Sequence, residues 1–183
     1  MNPIQILLNA LEDRWTHTIT LKRNEFLVTA GQIHTDVYWI DEGSLRIYIL
    51  DDKEEHIIRF GYKNSVFTSL DSFLNEKPSK FYIQAIKKCR LRVISRKDFM
   101  SFINSSETMR RFWEKTLESF VLQQMDREID LITYSPQKRF ERVFKRSPHL
   151  FQEIPQKYIA SYLRMTPETL SRILKNHDSN QSF

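Results

Sequence analysis

The stretch Tyr162–Lys175, YLRMTPETLSRILK, has the pattern of a helix end, a tight turn and a second helix. Apolar residues and one small residue recur at helical spacing on both sides of the turn, and they are Ile159, Ala160, Leu163, Met165, Leu170 and Ile173. A helix-turn-helix needs apolar residues at this spacing and a small one where its two helices cross closely. Arg164 stands where such a turn favours glycine, and a left-handed conformation there costs about 1–2 kcal/mol. The spacing therefore predicts a helix-turn-helix, with a plain helical hairpin as the alternative.

The second helix of this motif begins with a cap and presents a polar outer face. Thr166 is a candidate N-cap, and Pro167 at the first helical position has its φ already set. Arginine donates two hydrogen bonds to guanine, and glutamate accepts one from the cytosine amino group. Glu168 and Arg172 lie one turn apart, so they either read base edges or form an ordinary surface ion pair. The residues that we expect to contact DNA are Thr166, Glu168, Thr169, Arg172 and Lys175.

The positive charge of the chain is concentrated around this motif. The formal net charge is +5, and residues 135–177 hold nine basic and three acidic residues, which leaves 19 basic and 20 acidic residues elsewhere. The nine are Lys138, Arg139, Arg142, Lys145, Arg146, Lys157, Arg164, Arg172 and Lys175. Such a segment is expected to meet a polyanion, with a solvated basic surface as the alternative.

The chain before this segment begins with helical spacing in residues 2–14 and then changes to strand signals from Thr18 to Ile94. The strand segments are 37–40, 45–49, 56–60, 81–85 and 91–94. Turn-like residues at 41–44 and 51–54 separate them, and the three glycines of the chain fall in the same region. Short strands with frequent turns predict an antiparallel sandwich or roll rather than a parallel sheet.

Two helices are expected after the strands. Ser95 is a candidate N-cap for a helix that ends at Ile103, and Ser105 or Ser106 caps a helix from Glu107 to Thr133. The apolar residues of the second helix recur at steps of three and four, and they are Trp113, Leu117, Phe120, Val121, Met125, Ile129 and Ile132. Part of that stripe would pack on the strand region. A helix this long beside a small domain favours pairing with a second copy, so we expect a homodimer.

The order of a β-roll, a long helix and a helix-turn-helix with PETLSRIL resembles the Crp/Fnr family of bacterial transcription regulators, from about Leu21 to Lys175. The resemblance implies a cyclic-nucleotide-binding-like sensor domain at 1–105, a dimerisation helix at 106–134 and a DNA-binding domain at 135–183. The implied fold class is α+β. The family's base-reading glutamate and arginine correspond to Glu168 and Arg172, and Pro167 stands where the family often has arginine. Double-stranded DNA is the implied partner, and RNA polymerase is a candidate partner.

Two departures from the family pattern shape the expected function. Members that bind cyclic nucleotides carry a phosphate cassette of Gly-Glu-Leu and Arg-Ser or Arg-Thr, and the corresponding positions here are Thr68, Ser69, Ser79 and Lys80. We therefore expect no binding of cyclic AMP or cyclic GMP, because no arginine neutralises the phosphate. The residues after Lys175, NHDSNQSF, are polar and do not alternate, so we expect the domain to lack a full wing.

Other chemistries find little support in the sequence. Cys89 is the single cysteine, so neither a disulfide nor an iron–sulfur cluster is expected. The histidines, which are His17, His34, His56, His149 and His177, form no HxH pair, so we expect no metal site, no cofactor and no catalysis. No apolar run approaches the roughly 18 residues of a membrane span, and the N-terminal residues lack the features of a signal peptide. A cytoplasmic location is expected.

Two functions remain open from the sequence. The first is a dimeric DNA-binding transcription regulator whose sensor domain has an unknown small-molecule effector or none. The second is a ligand-sensing or protein-interaction module in which the helix-turn-helix is vestigial. The absent wing, Arg164 and Pro167 favour the second function, whereas the motif spacing, the basic segment and the long helix together favour the first.

Overall fold

The computed structural model describes residues 3–181, which form eight strands, eight α-helices and one 3-10 turn at Glu12–Arg14. The strands are β1 (His17–Leu21), β2 (Phe26–Val28), β3 (Val37–Glu42), β4 (Ser44–Asp51), β5 (Glu54–Tyr62), β6 (Val66–Phe67), β7 (Tyr82–Ala85) and β8 (Cys89–Ile94). The helices are α1 (Pro3–Ala10), α2 (Leu70–Asn75), α3 (Arg96–Ile103), α4 (Glu107–Ile132), α5 (Pro136–Arg146), α6 (Leu150–Glu153), α7 (Gln156–Tyr162) and α8 (Pro167–Gln181).

The strands form two four-stranded antiparallel sheets, in the orders β1-β8-β3-β6 and β2-β7-β4-β5. Alternating side chains such as Leu45, Ile83 and Leu91 enclose a core between the sheets. Gly43 turns the chain from β3 into β4 with φ of +90°, and a Cβ atom there would lie 2.2 Å from the Lys88 carbonyl oxygen. The predicted α+β class with an antiparallel β-roll is confirmed.

The β4–β5 pair contains a bulge that the alternation of apolar residues did not indicate. Ile47 pairs with Arg59 and Tyr48 pairs with Ile57, so Ile58 is an extra residue in β5. A bulge bends its strand and redirects the neighbouring side chains. Ile58 and Arg59 consequently line cavities beside the roll that are described below.

Three helix starts are capped by serine hydroxyls, and two of these caps, Ser95 and Ser106, were predicted. The Ser95 hydroxyl oxygen accepts a hydrogen bond from the Asp98 N–H at 3.1 Å, and Ser106 accepts one from the Met109 N–H at 3.2 Å. Ser135 does the same for Lys138 at 3.3 Å, with Pro136 at the first helical position. These caps satisfy amide groups that otherwise lack partners in the first turn.

Part of the apolar stripe of the long helix α4 packs on the strand region, as the sequence predicts, and part of it is exposed. Its first half packs inward, where Trp113 meets Phe99 and Phe73 edge to face at 5.3 and 5.8 Å between ring centroids. Its second half exposes a patch that we call the α4 stripe, namely Val121 (60% exposed), Leu122 (63%), Met125 (55%), Ile129 (44%) and Ile132 (79%). The buried residues of the second half are polar, Arg127 and Asp130.

The four C-terminal helices share a core with the roll. Their buried residues include Phe140, Ile159 and Leu170, and Ile86 of the roll joins the same cluster. Residues 176–181, which were expected not to build a wing hairpin, continue α8. His177 shows why: its ring lies 4.6 Å from Phe144 and 5.4 Å from Phe140, so that face of the helix still packs against α5. The described residues after Lys175 are thus helical and contain no strand.

Candidate functional site

The turn between α7 and α8 is a closed helix C-cap built around Arg164. Arg164 has φ of +50°, its N–H donates to the Ser161 carbonyl oxygen at 3.0 Å, and the Met165 N–H donates to the Ala160 carbonyl oxygen at 3.0 Å. This pair of bonds is the Schellman motif, whose left-handed position is usually glycine. The expected left-handed conformation at Arg164 is therefore present.

Arg139 of α5 holds this turn in place, a role that residue type and spacing did not indicate. Its guanidinium donates to the carbonyl oxygens of Leu163 at 2.9 Å and Arg164 at 3.0 Å. The same group donates to the carbonyl oxygens of Thr133 at 2.6 Å and Tyr134 at 3.0 Å. The planar fork of an arginine can serve four acceptors at once, so one side chain ties the α7–α8 turn to the α4–α5 connection.

The outer face of α8 carries the predicted contact residues. The Thr166 hydroxyl accepts from the Thr169 N–H at 3.2 Å, which confirms the predicted N-cap, and it also lies 3.2 Å from the Thr169 hydroxyl. Glu168, Arg172 and Lys175 are exposed, and Thr169 is partly exposed. Glu168, Arg172 and Lys175 border a shallow concavity of about 550 Å³ together with Gln156 of α7.

Glu168 and Arg172 form no ion pair with each other in the described structure, so the alternative of a surface salt bridge is not realised. A hydrogen bond from its own backbone N–H, and then one from the Thr166 hydroxyl, hold the pKa of Glu168 below its ordinary value. The Glu168 carboxylate is therefore ionised at neutral pH and can only accept hydrogen bonds. That is the state that accepts from a cytosine amino group.

Three of the nine basic residues point into the protein, which corrects their assignment to a polyanion-binding surface. Arg139 binds four carbonyl oxygens, and Arg142 and Arg146 bind Asp130. The exposed cations of the segment are Lys138, Lys145, Lys157, Arg164, Arg172 and Lys175. The charge that faces solvent is therefore smaller than the composition indicates.

A buried ionic cluster joins α4 to the helix-turn-helix, and we call it the α4 junction. Asp130 is 0% exposed, its Oδ1 lies 3.0 Å from the Arg142 Nε, and its Oδ2 accepts a hydrogen bond from Arg146. Arg127 donates to the Tyr162 carbonyl oxygen at 2.7 Å, and its guanidinium carbon lies 3.6 Å from the centroid of the Tyr162 ring. The first helix of the motif, α7, is thus held to α4 through Tyr162, and α7 also contacts β5.

The pKa values of the junction arginines differ in direction. Burial lowers the pKa of Arg127, and the nearby Tyr162 and Asp130 only partly offset it. Burial also lowers the pKa of Arg146, but the hydrogen bond and the charge of Asp130 outweigh that effect and raise it. Arg146 is therefore well matched by a carboxylate, whereas Arg127 is held chiefly by neutral groups.

The region of the expected phosphate cassette is filled by a carboxylate of the protein itself. Asp71 Oδ1 lies 3.0 Å from the hydroxyls of Ser69 and Ser79 and accepts from the Ser72 N–H at 2.8 Å. Its Oδ2 accepts from the Lys80 N–H at 3.0 Å. Burial raises the pKa of Asp71, but these hydrogen bonds outweigh it, so the pKa lies below its ordinary value.

The cassette positions named from the sequence are thus brought together, but they serve an internal anion. Ser69 and Ser79 are both buried, and the Thr68 hydroxyl donates to the Asp36 carbonyl oxygen at 2.9 Å. The Lys80 side chain is exposed. An external phosphate would have to displace the Asp71 carboxylate or lie against its negative charge.

Two cavities lie beside the roll, and the first of them is lined in part by Thr68, Ser69 and Asp71. The first, which we call the apolar cavity, has a volume of about 350 Å³ and lies between the roll and α4, with Phe73, Phe99 and Trp113 among its walls. The second, which we call the arginine cleft, has a volume of about 580 Å³ and is bordered by β5, α4 and α5. Arg59 and Phe120 belong to the walls of both.

With this geometry established, residues 18–106 match the family described as the cyclic nucleotide-binding domain. The solved structures extend the likeness to nearly the whole chain. A mutant of CooA from Carboxydothermus hydrogenoformans is 14% identical, with a TM-score of 0.72 over 98% of this chain and 85% of that chain. The chain has the Crp/Fnr fold.

Other structures of this fold are equally distant in sequence. FixK2 from Bradyrhizobium japonicum is 20% identical, with a TM-score of 0.72 over 90% of this chain and 85% of that chain. CLP from Xanthomonas campestris is 14% identical, with a TM-score of 0.64 over 97% of this chain and 93% of that chain. No curated protein sequence matches the chain at a significant level. The predicted resemblance is thereby confirmed in fold.

Three further expectations concern chemistry that this Crp/Fnr fold could host. Within residues 3–181, no group of three or more His, Cys, Asp or Glu side chains is placed to hold a metal ion. Cys89 is buried, and burial raises the pKa of its thiol to about 11, so it is a poor nucleophile. None of the described helices combines the length and apolar character needed to cross a membrane.

Replacing Asp130 by alanine tests the α4 junction. The change leaves Arg142 and Arg146 without their carboxylate, and we expect a loss of about 3 kcal/mol in the free energy of unfolding. Urea denaturation followed by far-UV circular dichroism measures it. Asp126→Ala is the matched control, because Asp126 is half exposed and only 3.8 Å from Arg142, so its loss should cost under about 1 kcal/mol. Equal losses for both variants would contradict the assignment.

The response to cyclic AMP tests whether Asp71 blocks the cassette region. We expect the nucleotide to leave the melting temperature of the protein unchanged, because the Asp71 carboxylate already takes the donors and repels a phosphate. A thermal-shift titration checks this. Asp71→Ala should lower stability by about 1–3 kcal/mol through four unpaired donors. If cyclic AMP raises the melting temperature of the unsubstituted protein, and if Asp71→Ala does not enlarge that rise, then Asp71 has no inhibitory role.

Proposed function

We propose that this protein is a homodimeric, sequence-specific DNA-binding transcription regulator of the Crp/Fnr type. The observation that carries the proposal is the outer face of α8, where Glu168 and Arg172 are exposed. The left-handed turn at Arg164 and the hydrogen bonds of Arg139 hold the start of this helix in place. In this proposal residues 1–105 are the sensor domain, 106–134 the dimerisation helix and 135–183 the DNA-binding domain. Such a regulator works in the cytoplasm with its DNA, and RNA polymerase is a candidate partner.

The recognition helix supplies two kinds of contact. Arg172 offers a bidentate donor to guanine, and Glu168 offers an acceptor to cytosine one turn earlier. Thr166 and Thr169 lie at the helix N-terminus, where hydroxyls and amide groups meet phosphate oxygens, and Lys175 extends the same face. Lys157, exposed beside the Gln156 edge of the concavity, adds a phosphate contact.

Two proteins of this fold have roles in gene regulation. CLP is described as a c-di-GMP responsive global regulator that links cell–cell signalling to virulence gene expression. Another structure of 17% identity and TM-score 0.55 is the sensor domain of the transcriptional regulator DNR from Pseudomonas aeruginosa. The fold is therefore used by proteins that couple a sensor to gene expression.

The α4 stripe supports the dimer. Five apolar side chains lie on one face of the second half of α4 and are between 44% and 79% exposed. Their positions follow the steps of a helix seam, and contiguous exposed apolar surface marks an interaction site. A second copy of α4 would cover the stripe of the first in an isologous contact.

Arg172→Ala tests base reading. After selection of bound fragments from genomic DNA, we expect this variant to lose about 1–3 kcal/mol of affinity for the selected site and to relax its sequence preference. Lys157→Ala should instead weaken binding to all DNA sequences alike, and it should reduce the slope of log affinity against log salt concentration by about 1. Electrophoretic mobility shifts at several salt concentrations distinguish the two. Lys22→Ala in the roll is the control, and equal effects of all three variants would contradict the assigned roles.

Met125→Glu tests the dimer. A carboxylate in the middle of a paired apolar seam would be buried against its own copy, so we expect the variant to be monomeric and to bind DNA more weakly. Sedimentation equilibrium measures the oligomeric state. Ser119→Glu adds the same charge to an exposed position of α4 outside the stripe and should remain dimeric. A monomeric unsubstituted protein would overturn this part of the proposal.

The alternative function is a ligand-sensing or protein-interaction module with a vestigial helix-turn-helix. It is favoured by the inward orientation of Arg139, Arg142 and Arg146, which removes cations from the DNA-facing side. This alternative predicts weak DNA binding without sequence preference. A selected site that competes with a large excess of random DNA would exclude it.

A further inference from the structure

Arg59 is an arginine in an apolar setting without a carboxylate partner. Its guanidinium carbon lies 5.6 Å from the centroid of the Phe120 ring, and burial lowers the pKa of its side chain. Among the side chains that the structure describes, none forms an ion pair or a hydrogen bond with the Arg59 guanidinium. Its charge is thus available to a bound anion, since a half-buried cation favours a counter-charge.

The two cavities meet at Arg59. Their shared walls are Ile58, Arg59, Val66, Phe67, Phe120 and Gln124. The bulge at Ile58 is what places consecutive residues of β5 beside both spaces. On one side lie the aromatic walls of the apolar cavity, and on the other lie Arg127 and Arg146 in a cleft whose lining contains no aspartate or glutamate.

Arg127 has capacity for a second partner. A guanidinium carries five N–H donors, and within the described residues Arg127 gives one to the Tyr162 carbonyl oxygen. Arg146 is already matched by Asp130. The positive charge of the cleft that no carboxylate binds directly therefore belongs to Arg127 and to Arg59, and Arg59 also lines the apolar cavity.

We propose that the apolar cavity and the arginine cleft together bind one amphipathic organic acid, with its apolar body in the cavity and its carboxylate against Arg59 and Arg127. The cavity volume of about 350 Å³ lies in the range of about 300–1,000 Å³ that is usual for small-molecule sites. The apolar walls exclude water from the body of the ligand, and the arginine pair selects a negatively charged head. A phosphate-sugar ligand does not fit this arrangement, because its polar ring would face Phe73, Phe99 and Trp113.

This site also provides a route to the DNA-binding domain, and that part of the inference depends on the proposed function. A carboxylate that binds Arg127 would pull on the same guanidinium that holds the Tyr162 carbonyl oxygen, and Tyr162 is the last residue of α7, two residues before Arg164. Binding would therefore change the restraint on the α7–α8 turn. A ligand can shift an equilibrium only by its differential affinity for the two states, and Arg127 supplies such a difference.

The test uses the full chain with decanoate and 5-phenylpentanoate as probes, kept below their micelle-forming concentrations, and decanol as the uncharged counterpart. Isothermal titration calorimetry measures binding without DNA. We expect at least one acid to bind about tenfold or more tightly than decanol, as for a charge-assisted hydrogen bond. Arg59→Met should remove most of that advantage and leave decanol binding unchanged. Arg111→Met, at an exposed position of α4, is the control.

The outcomes are separable. The inference is overturned if neither acid binds, if decanol binds as tightly as both acids, or if Arg59→Met and Arg111→Met behave alike. Should Arg59→Met fail to fold by circular dichroism, the comparison of acid with alcohol on the unsubstituted protein still decides the matter. Mobility shifts with and without the bound acid then test the regulatory part. An absence of specific DNA binding would refute the proposed function but not the ligand site.

Discussion

The buried carboxylate of Asp130 is the constraint on which the arrangement of α4 and the C-terminal helices depends. A fully buried charge is tolerated only when it is paired and hydrogen-bonded, and Asp130 meets that requirement with Arg142 and Arg146 of α5. Both arginines must therefore lie on the side of α5 that faces α4. Once α5 is oriented in this way, Phe140 and Val143 enter the core, and Arg139 reaches the α7–α8 turn.

The same constraint determines where positive charge reaches solvent. A basic segment in a sequence suggests a basic surface, yet three of its arginines here hold the domain together. Arg139 bonds the turn that precedes α8, and Arg142 and Arg146 hold α5 against α4. The exposed position of Glu168 and Arg172 thus depends on cations that lie inside the domain.

The parts of the structure that could be predicted from the sequence are those determined by neighbours along the chain. The caps Ser95, Ser106, Ser135 and Thr166 act within one helical turn, and the left-handed Arg164 follows from the spacing around it. Arg139, Asp71 and Asp130 act on groups brought close only by the fold, so residue type and spacing gave no sign of their roles. The α4 stripe shows the intermediate case, since its period and its partial burial were predicted but the residue at which burial ends was not.

Two regions of the β-roll differ in how their charged groups are paired. Asp71 saturates the donors of the cassette loop, so an anion gains little from that end of the roll. Positive charge without a carboxylate partner is found instead at Arg59, where the bulge of β5 brings the roll against α4. Arg59 shares a cleft with Arg127 of the α4 junction and with Tyr162, whereas the cassette residues do not line that cleft. A carboxylate held there would lie beside Arg127, which binds the carbonyl oxygen of the last residue of α7.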